Sequence, residues 1–159
     1  MAIRVQRHDF DVGAEMAALT AGNVAIGGVA CFVGLVRDLG PDDRGETLAA
    51  LTLEHYPGMT ERELEKIDAE ARSRWPLEAS LIIHRYGRLE PGERIVLVIT
   101  ASSHRQAAFE SCAFLMDWLK TKAPFWKLEE TSAGERWVEA RDSDEAAAAR
   151  WAGTPDGRT

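Results

Sequence analysis

The segment KTKAPFWK, from Lys120 to Lys127, is the part of the sequence whose residue types most strongly indicate chemistry. Lysine is scarce in this chain, and three of its four lysines lie in this segment. A lysine beside other cations and aromatic surface tends to have a lowered pKa, because both disfavour the ammonium form. Such a lysine can transfer a proton near neutral pH, or bind an anion or a carbonyl oxygen. The structural alternative is that Lys120 only stabilises the end of a helix.

A second candidate site is the segment SSHR at 102–105, where a predicted strand passes into a predicted helix. The start of a helix combines free backbone N–H groups with the positive end of the helix dipole, and His104 and Arg105 add further donors. This combination suits a phosphate or a carboxylate. The structural alternative is that Ser103 caps the helix, in a capping box with Gln106, and that His104 is an ordinary surface residue.

Arg37, in FVGLVRD, is a third candidate. It follows a long apolar segment and precedes a loop that contains glycines, so it is placed to hold an anion in a pocket. Pairing with the adjacent Asp38 is the structural alternative. By itself this arginine is a weak indication of function.

The separation of His104 and Lys120 limits how these sites can cooperate. The two residues are 16 positions apart on one predicted helix, which places them about 24 Å apart along its axis. One small-molecule pocket cannot use both side chains from the same chain. If they act together, two chains must meet, and a two-fold dimer supplies that arrangement.

Composition limits the class of protein. A length of 159 residues suits one domain, and a net charge of −7 argues against a nucleic-acid partner. The sequence has no long apolar run, and its start is charged, so we expect a cytoplasmic protein with no membrane segment. Cys31 and Cys112 stand in apolar surroundings and are predicted to be buried and inert. The four histidines lack the spacing of metal ligands, so no metal site is predicted.

Hydrophobic patterning predicts the elements that must position these residues. Predicted strands occupy 3–7, 24–36, 47–56, 78–86 and 94–102, and predicted helices occupy 12–21, 58–75 and 104–122. FWKLEET and RWVEA form a predicted hairpin, in which alternation places Lys127 on the face opposite Trp126. A last helix follows, capped by Asp142 or Ser143. Because strand pairs alternate with helices, we predict an α+β sandwich with a mainly antiparallel sheet, in which 24–36 is a buried strand or a bent strand pair.

Six motifs together resemble one known family. In this order and spacing, FVGLVRD, LTLEHYPGM, IIHRYGRLEPGE, SSHRQAAFE, FLMDWLKTKAPFWKLEE and GERWVEA closely resemble the MoaE family, the large catalytic subunits of molybdopterin synthase. The resemblance runs from about residue 3 to Trp151. It implies a single domain over 1–151 with a flexible C-terminal tail at 152–159. It also implies an α/β hammerhead-type sandwich with an added small antiparallel sheet.

The resemblance implies a sulfurtransferase that acts in molybdenum cofactor biosynthesis. Members of this family transfer two sulfurs to cyclic pyranopterin monophosphate and so form the dithiolene of molybdopterin. The sulfur donor is a small ubiquitin-like subunit whose C-terminal Gly-Gly ends in a thiocarboxylate. A homodimer of the large subunit carries one small subunit at each end, which gives a heterotetramer. No metal or organic cofactor is implied, because the sulfur arrives on a protein.

The resemblance also implies roles for individual residues. Lys120 and Lys127 match the two lysines on which activity in the family depends, so both are expected to be catalytic. Leu35 is a departure, because some relatives carry a basic residue there, so one anion contact is either absent or made by the backbone alone. The residues expected to bind substrate are Arg37, His104, Arg105, Lys120, Lys127, Leu128, Glu129 and Arg141, the last of them reached across the dimer.

Two other functions stay open at the level of the sequence. The first is a non-catalytic dimeric scaffold that docks the tail of a ubiquitin-like protein, which the long apolar strand would suit. The second is a cysteine persulfide enzyme, which would need Cys31 or Cys112. Replacing Lys120 separates the scaffold from the sulfurtransferase, and replacing each cysteine tests the persulfide enzyme.

Overall fold

The structure, a computed structural model, describes residues 2–38, 47–138 and 142–152. Within these ranges the chain forms eight strands and four helices. In chain order they are β1 (Ala2–Gln6), α1 (Val12–Thr20), β2 (Gly28–Leu35), β3 (Leu48–His55), α2 (Met59–Arg74), β4 (Leu77–Arg85), β5 (Gly87–Leu89), β6 (Arg94–Ser102), α3 (Arg105–Thr121), β7 (Phe125–Thr131), β8 (Gly134–Val138) and α4 (Asp142–Ala149). No helix among these residues is long and apolar enough to span a membrane.

The first sheet has the strand order β1-β4-β6-β2. β1 runs parallel to β4, and the other two pairs are antiparallel. The central strands β4 and β6 are continuous apolar runs, as expected where helices cover both faces of a sheet. α2 and α3 pack on one face, and α1 packs on the other.

The second sheet has the order β5-β3-β7-β8, and all of its pairs are antiparallel. It has its own small core, formed by Val36, Leu48, Leu51, Leu53 and Leu89. This is the added antiparallel sheet of the predicted fold. The predicted α+β sandwich with mainly antiparallel pairing is therefore confirmed.

The exposure of β2 differs from the prediction. The sequence predicts a buried strand, but β2 is an edge strand, and Val29, Phe32 and Leu35 are exposed. α1 is short and packs on β4 and β6, so it leaves open the face of β2 that carries Val29 and Cys31. For the same reason the prediction that Cys31 is buried is wrong, because its thiol is exposed; Cys112, on α3, is buried as predicted.

Two local predictions also need correction. The N-cap of α3 is His104 with no capping side-chain hydrogen bond, so the predicted capping box of Ser103 and Gln106 is wrong. The Gln106 amide instead donates to Glu110 at 3.2 Å, one turn further along the helix. The connection 87–93 contains the short strand β5, which the sequence does not predict because its pairing partner is the distant β3.

Candidate active site

Lys120 lies in the last turn of α3 and is exposed. A cation is favourable there, because the C-terminal carbonyl groups of a helix carry partial negative charge. Pro124 prevents the helix from continuing, and the chain turns directly into β7. The hydroxyl of Thr60, which is fully buried at the start of α2, donates to the carbonyl of Pro124 at 3.4 Å. The connection between the two lysines is thus attached to α2.

Lys127 lies on β7, between β3 and β8. It faces Leu53 on one side and Val138 on the other in the strand register. Because alternate residues share a face of a strand, Lys127 projects with Phe125 and opposite to Trp126. Lys127 is half-buried and Trp126 is exposed, as this alternation predicts.

The charges of both lysines act on one buried histidine that sequence reasoning missed. His84 is 8% exposed and lies near the end of β4. Burial lowers the pKa of His84 to about 3, against the effect of its hydrogen bond with the Arg85 carbonyl. The charges of Lys127, Lys120 and His55 lower this pKa further. Lys120 and Lys127 are therefore both within electrostatic reach of the same uncharged imidazole.

The ring of His84 belongs to a group of four rings between the sheets, His84, Phe125, His55 and Tyr86, here called the aromatic cluster. His84 stacks on Phe125 with ring centroids 3.7 Å apart and planes 16° apart. The His55 centroid is 6.4 Å from that of Phe125 and 4.2 Å from that of Tyr86. The guanidinium of Arg7 covers the Tyr86 ring at 4.8 Å. The cluster joins the end of β4 to the start of β7.

A histidine within the apolar run LIIH of β4 indicates burial, and this is the signal that could have singled out His84. Its stacking partner, Phe125, comes from the other sheet and from a distant part of the chain. Local patterning gives no information on that contact. The sequence therefore indicates that His84 is buried, but not what it contacts.

The start of β2 packs against the junction that carries His104 and Arg105. The Gly27 amide donates to the Ser102 carbonyl at 2.9 Å. A Cβ at position 27 would lie only 2.0 Å from the carbonyl oxygen of Ser103, so only glycine fits. His104 and Arg105 are both exposed. The junction is thus held by backbone contacts while its two donor residues reach solvent.

Arg37 is exposed and follows the buried Val36. The Val36 amide donates to the Glu93 carbonyl at 2.8 Å, and its carbonyl accepts from the Gly92 amide at 2.7 Å. These bonds anchor the backbone that presents Arg37. Leu35, the departure from the family pattern, is 54% exposed.

The predicted contact stretch 127–129 divides between the two faces of the second sheet. Lys127 and Glu129 share one face, and Leu128 lies on the other. The Glu129 carboxylate accepts from Nε of Arg136 at 3.0 Å, directly across the β7–β8 pair. Arg141 lies outside the described residues.

α3 separates the candidate residues into two groups. It is one continuous helix, so His104 at its start and Lys120 in its last turn are about 24 Å apart. His104 and Arg105 form one group, and Lys120 and Lys127 form the other. The predicted separation within one chain is confirmed. In the described part of the chain, no three His, Cys, Asp or Glu side chains are grouped as ligands for a metal ion.

Comparisons with known proteins agree with this description. A family model described as MoaE protein matches residues 5–122. The molybdopterin synthase catalytic subunit of Pseudomonas aeruginosa is 61% identical over 151 residues, which cover 95% of this chain and 99% of that protein. That alignment extends beyond the stretch of this chain that the family model matches.

Two solved structures share the fold. One is the molybdopterin biosynthesis MoaE protein from Burkholderia ambifaria, with a TM-score of 0.81, 59% identity and coverage of 96% of this chain and 99% of that one. The other is molybdopterin synthase from Staphylococcus aureus, with a TM-score of 0.78, 26% identity and coverage of 86% and 96%. Fold and comparisons together define an enzyme of molybdenum cofactor biosynthesis. The chain belongs to the MoaE family.

Proposed function

We propose that this chain is the catalytic subunit of a cytoplasmic molybdopterin synthase. In this reaction, two sulfurs pass from the C-terminal thiocarboxylate of a small ubiquitin-like subunit to cyclic pyranopterin monophosphate, and the dithiolene of molybdopterin forms. Each transfer leaves a carboxylate on the donor tail, so two donor molecules are consumed for each product. The relatives named molybdopterin synthase catalytic subunit, one of them 61% identical, support this assignment.

The observation that carries the proposal is that Lys120, in the last turn of α3, and Lys127, on β7, are joined by a short connection that the buried Thr60 holds through the Pro124 carbonyl. The charges of both lysines also act on the buried imidazole of His84, which stacks on Phe125 at the start of β7. The thiocarboxylate is an anion, and attack at its carbonyl generates an oxyanion. Ammonium groups fixed beside such a centre stabilise the negative charge that develops in the transition state.

The two lysines have different surroundings, which supports different roles. Lys120 is exposed at the end of a helix and can meet the tail of a partner protein, so we assign it to orienting and polarising the thiocarboxylate. Lys127 is half-buried beside the aromatic cluster, so we assign it to proton transfer or to holding the pterin intermediate.

The phosphate of the pterin is an anion that needs hydrogen-bond donors. Arg37, His104 and Arg105 are exposed and suit this anion. His104 is about 24 Å from Lys120 along α3, so we propose that they reach the same substrate from the second chain of a homodimer. Arg141 would reach the pocket in the same way, and Leu128 and Glu129 would contact the substrate from β7.

The edge strand β2 supports an association between chains. Its outer edge is unpaired within the described residues, and Val29, Phe32 and Leu35 are exposed on it. An exposed apolar edge strand readily pairs with another chain. The homodimer, with one small subunit at each end, completes the proposed heterotetramer.

Reconstitution from purified components tests the proposal. The chain is mixed with thiocarboxylated small subunit and cyclic pyranopterin monophosphate, and dithiolene formation is measured. We expect product with the thiocarboxylated donor and none with the same donor ending in a carboxylate. Absence of product with an intact donor would refute the sulfurtransferase assignment. A non-catalytic scaffold would bind the donor in this assay without forming product.

A further inference from the structure

The face of β7 that carries Lys127 contacts the first sheet through a residue close to that lysine. Phe125 begins β7, and Lys127 follows two positions later on the same face. The Phe125 ring stacks on the ring of His84, at 3.7 Å between centroids. A shift of this stack would therefore move the start of β7 and, with it, the backbone of Lys127.

The orientation of the His84 ring is fixed by a hydrogen bond. Nδ1 lies 2.8 Å from the carbonyl oxygen of Arg85. Because a carbonyl can only accept, Nδ1 carries the hydrogen and Nε2 keeps its lone pair. This bond sets the rotation of the imidazole, and the resulting plane is within 16° of that of Phe125.

The charges around the stack favour an uncharged His84 ring. The titratable groups whose charges act on His84 are Lys127 on β7, Lys120 on α3 and His55 on β3, and all three disfavour a charged imidazole. His55 in turn lies 4.0 Å from the carboxylate of Glu61. An uncharged ring fills the space against Phe125 without adding a positive charge to those of the two lysines. A polar side chain without a ring would fill it less completely.

We propose that His84 is a positioning residue for the sulfur-transfer reaction, which stacks on Phe125 and thereby holds the start of β7, and with it Lys127, in place relative to the end of α3 that carries Lys120. This inference rests on the proposed function for its catalytic consequence. Its structural part, the coupling of His84 to Lys127, is independent of any activity. The proposal deepens the assignment of Lys127, because it names the group that keeps this lysine in place.

Two variants separate the ring from its hydrogen bond. His84→Phe keeps a ring that can stack on Phe125 and loses the Nδ1 donor. His84→Gln keeps a donor for the Arg85 carbonyl and loses the ring. Ile82→Ala is the matched control, because Ile82 is fully buried two positions earlier on the same face of β4 and is not part of the aromatic cluster. It reports the effect of a general loss of core packing.

The first readout is the reactivity of single lysines. The folded proteins are labelled with trace acetic anhydride, and the labelling rate of Lys127 is compared with that of Lys66 by mass spectrometry. We expect His84→Gln to raise the Lys127 rate severalfold, because β7 is no longer held, and His84→Phe and Ile82→Ala to leave it near the wild-type value. An unchanged rate in His84→Gln, or an equal rise in Ile82→Ala, would overturn the proposal.

The second readout is the kinetics of dithiolene formation. We expect His84→Gln to lower kcat about 10- to 100-fold, the loss expected when a reacting group is displaced by about 1 Å, with little change in KM for the pterin. His84→Phe should restore most of kcat. Equal losses in the two variants would overturn the proposal. If the wild-type chain forms no product, the proposed function fails, and the labelling experiment still decides whether His84 positions Lys127.

Discussion

The imidazole of His84 and the phenyl ring of Phe125 lie face to face, 3.7 Å apart, where the end of β4 meets the start of β7. This contact joins two sheets that each have their own core cluster, and Ile95 packs against both clusters. It also places an uncharged, buried ring within reach of the charges of Lys120 and Lys127. The geometry of the candidate active site therefore depends on packing between the sheets as well as on the segment that carries the lysines.

The buried state of His84 predicts an acid-sensitive stability. Its pKa is lowered to about 3 in the folded chain, whereas a histidine in an unfolded chain titrates near about 6.5. Between these values the unfolded chain binds a proton that the folded chain does not, so the free energy of unfolding falls as pH falls through this window. Between about pH 7.5 and about pH 5, we expect the titration of His84 to lower the free energy of unfolding of the wild type by about 2 kcal/mol.

Urea unfolding at the two pH values measures this loss. His84→Phe should lose less stability than the wild type over the same interval, and His8→Gln, which removes an exposed histidine, should behave like the wild type. The titration of Asp9 does not contribute to the change in stability over this pH interval. Hydrogen bonding to Arg94 lowers its pKa to about 2, so its contribution is lost only as pH falls below its ordinary value of 3.8. Identical pH dependence in the wild type and His84→Phe would contradict the buried, uncharged state of His84.

Gly27→Ala should disturb the junction at His104 and Arg105, which we propose binds the pterin phosphate. The added Cβ would lie 2.0 Å from the Ser103 carbonyl oxygen, so the backbone before His104 must move. We expect a loss of about 1–3 kcal/mol of stability, typical of an overpacked site, and weaker binding of the pterin. Gly28→Ala is the control, because its Cβ would make only ordinary contact with Arg105 at 3.4 Å. If chemical denaturation and pterin binding do not distinguish the two variants, this backbone contact does not position the junction.

Neither cysteine should be needed for sulfur transfer. Burial raises the pKa of the Cys112 thiol to about 11, and partial desolvation raises the pKa of the Cys31 thiol. Both thiols are therefore protonated at neutral pH, and a protonated thiol is a poor nucleophile. We expect Cys31→Ser and Cys112→Ser to form dithiolene at close to the wild-type rate. Loss of turnover in either variant, with the fold intact by circular dichroism, would favour a persulfide enzyme.

A site shared between two chains predicts complementation. In the proposed dimer, each pocket takes Lys120 from one chain and Arg105 from the other. A dimer of one Arg105→Ala chain and one Lys120→Ala chain therefore contains one pocket with neither substitution. We expect partial activity to return when the two inactive variants are mixed under conditions that allow subunit exchange. Exchange is verified with a mass-tagged chain. If mixed dimers form and remain inactive, the pocket is built within a single chain.

The sequence was most informative about features that depend only on residues close together in the chain. Capping of α1 by Asp11, the apolar run of β4 and the stop at Pro124 predicted elements that the structure confirms. The KTKAPFWK segment pointed to the lysines because lysine is rare elsewhere in the chain. Both kinds of signal are contained in a short stretch of residues, so they need no knowledge of the tertiary structure.

Contacts between distant segments were not accessible in this way. Cys31 stands in an apolar strand, yet it is exposed because α1 does not extend over β2. β5 is short, and its partner β3 is far away in the sequence, so it was missed. The stack of His84 on Phe125 depends on how two sheets pack. Patterning predicts which face of a strand is apolar. Whether that face is buried depends on the lengths and positions of the other elements.

The most direct test of the central claim is the rate of dithiolene formation by Lys120→Ala, measured with purified thiocarboxylated partner and compared with Lys66→Ala. Lys66 is an exposed lysine paired with Glu63 on α2, so its replacement removes the same charge away from the site. We expect Lys120→Ala to lose about 100-fold or more in rate, as when a group that stabilises an oxyanion is removed, and Lys66→Ala to match the wild type. A wild-type rate in Lys120→Ala would contradict its catalytic role and would favour a scaffold that only docks the donor tail.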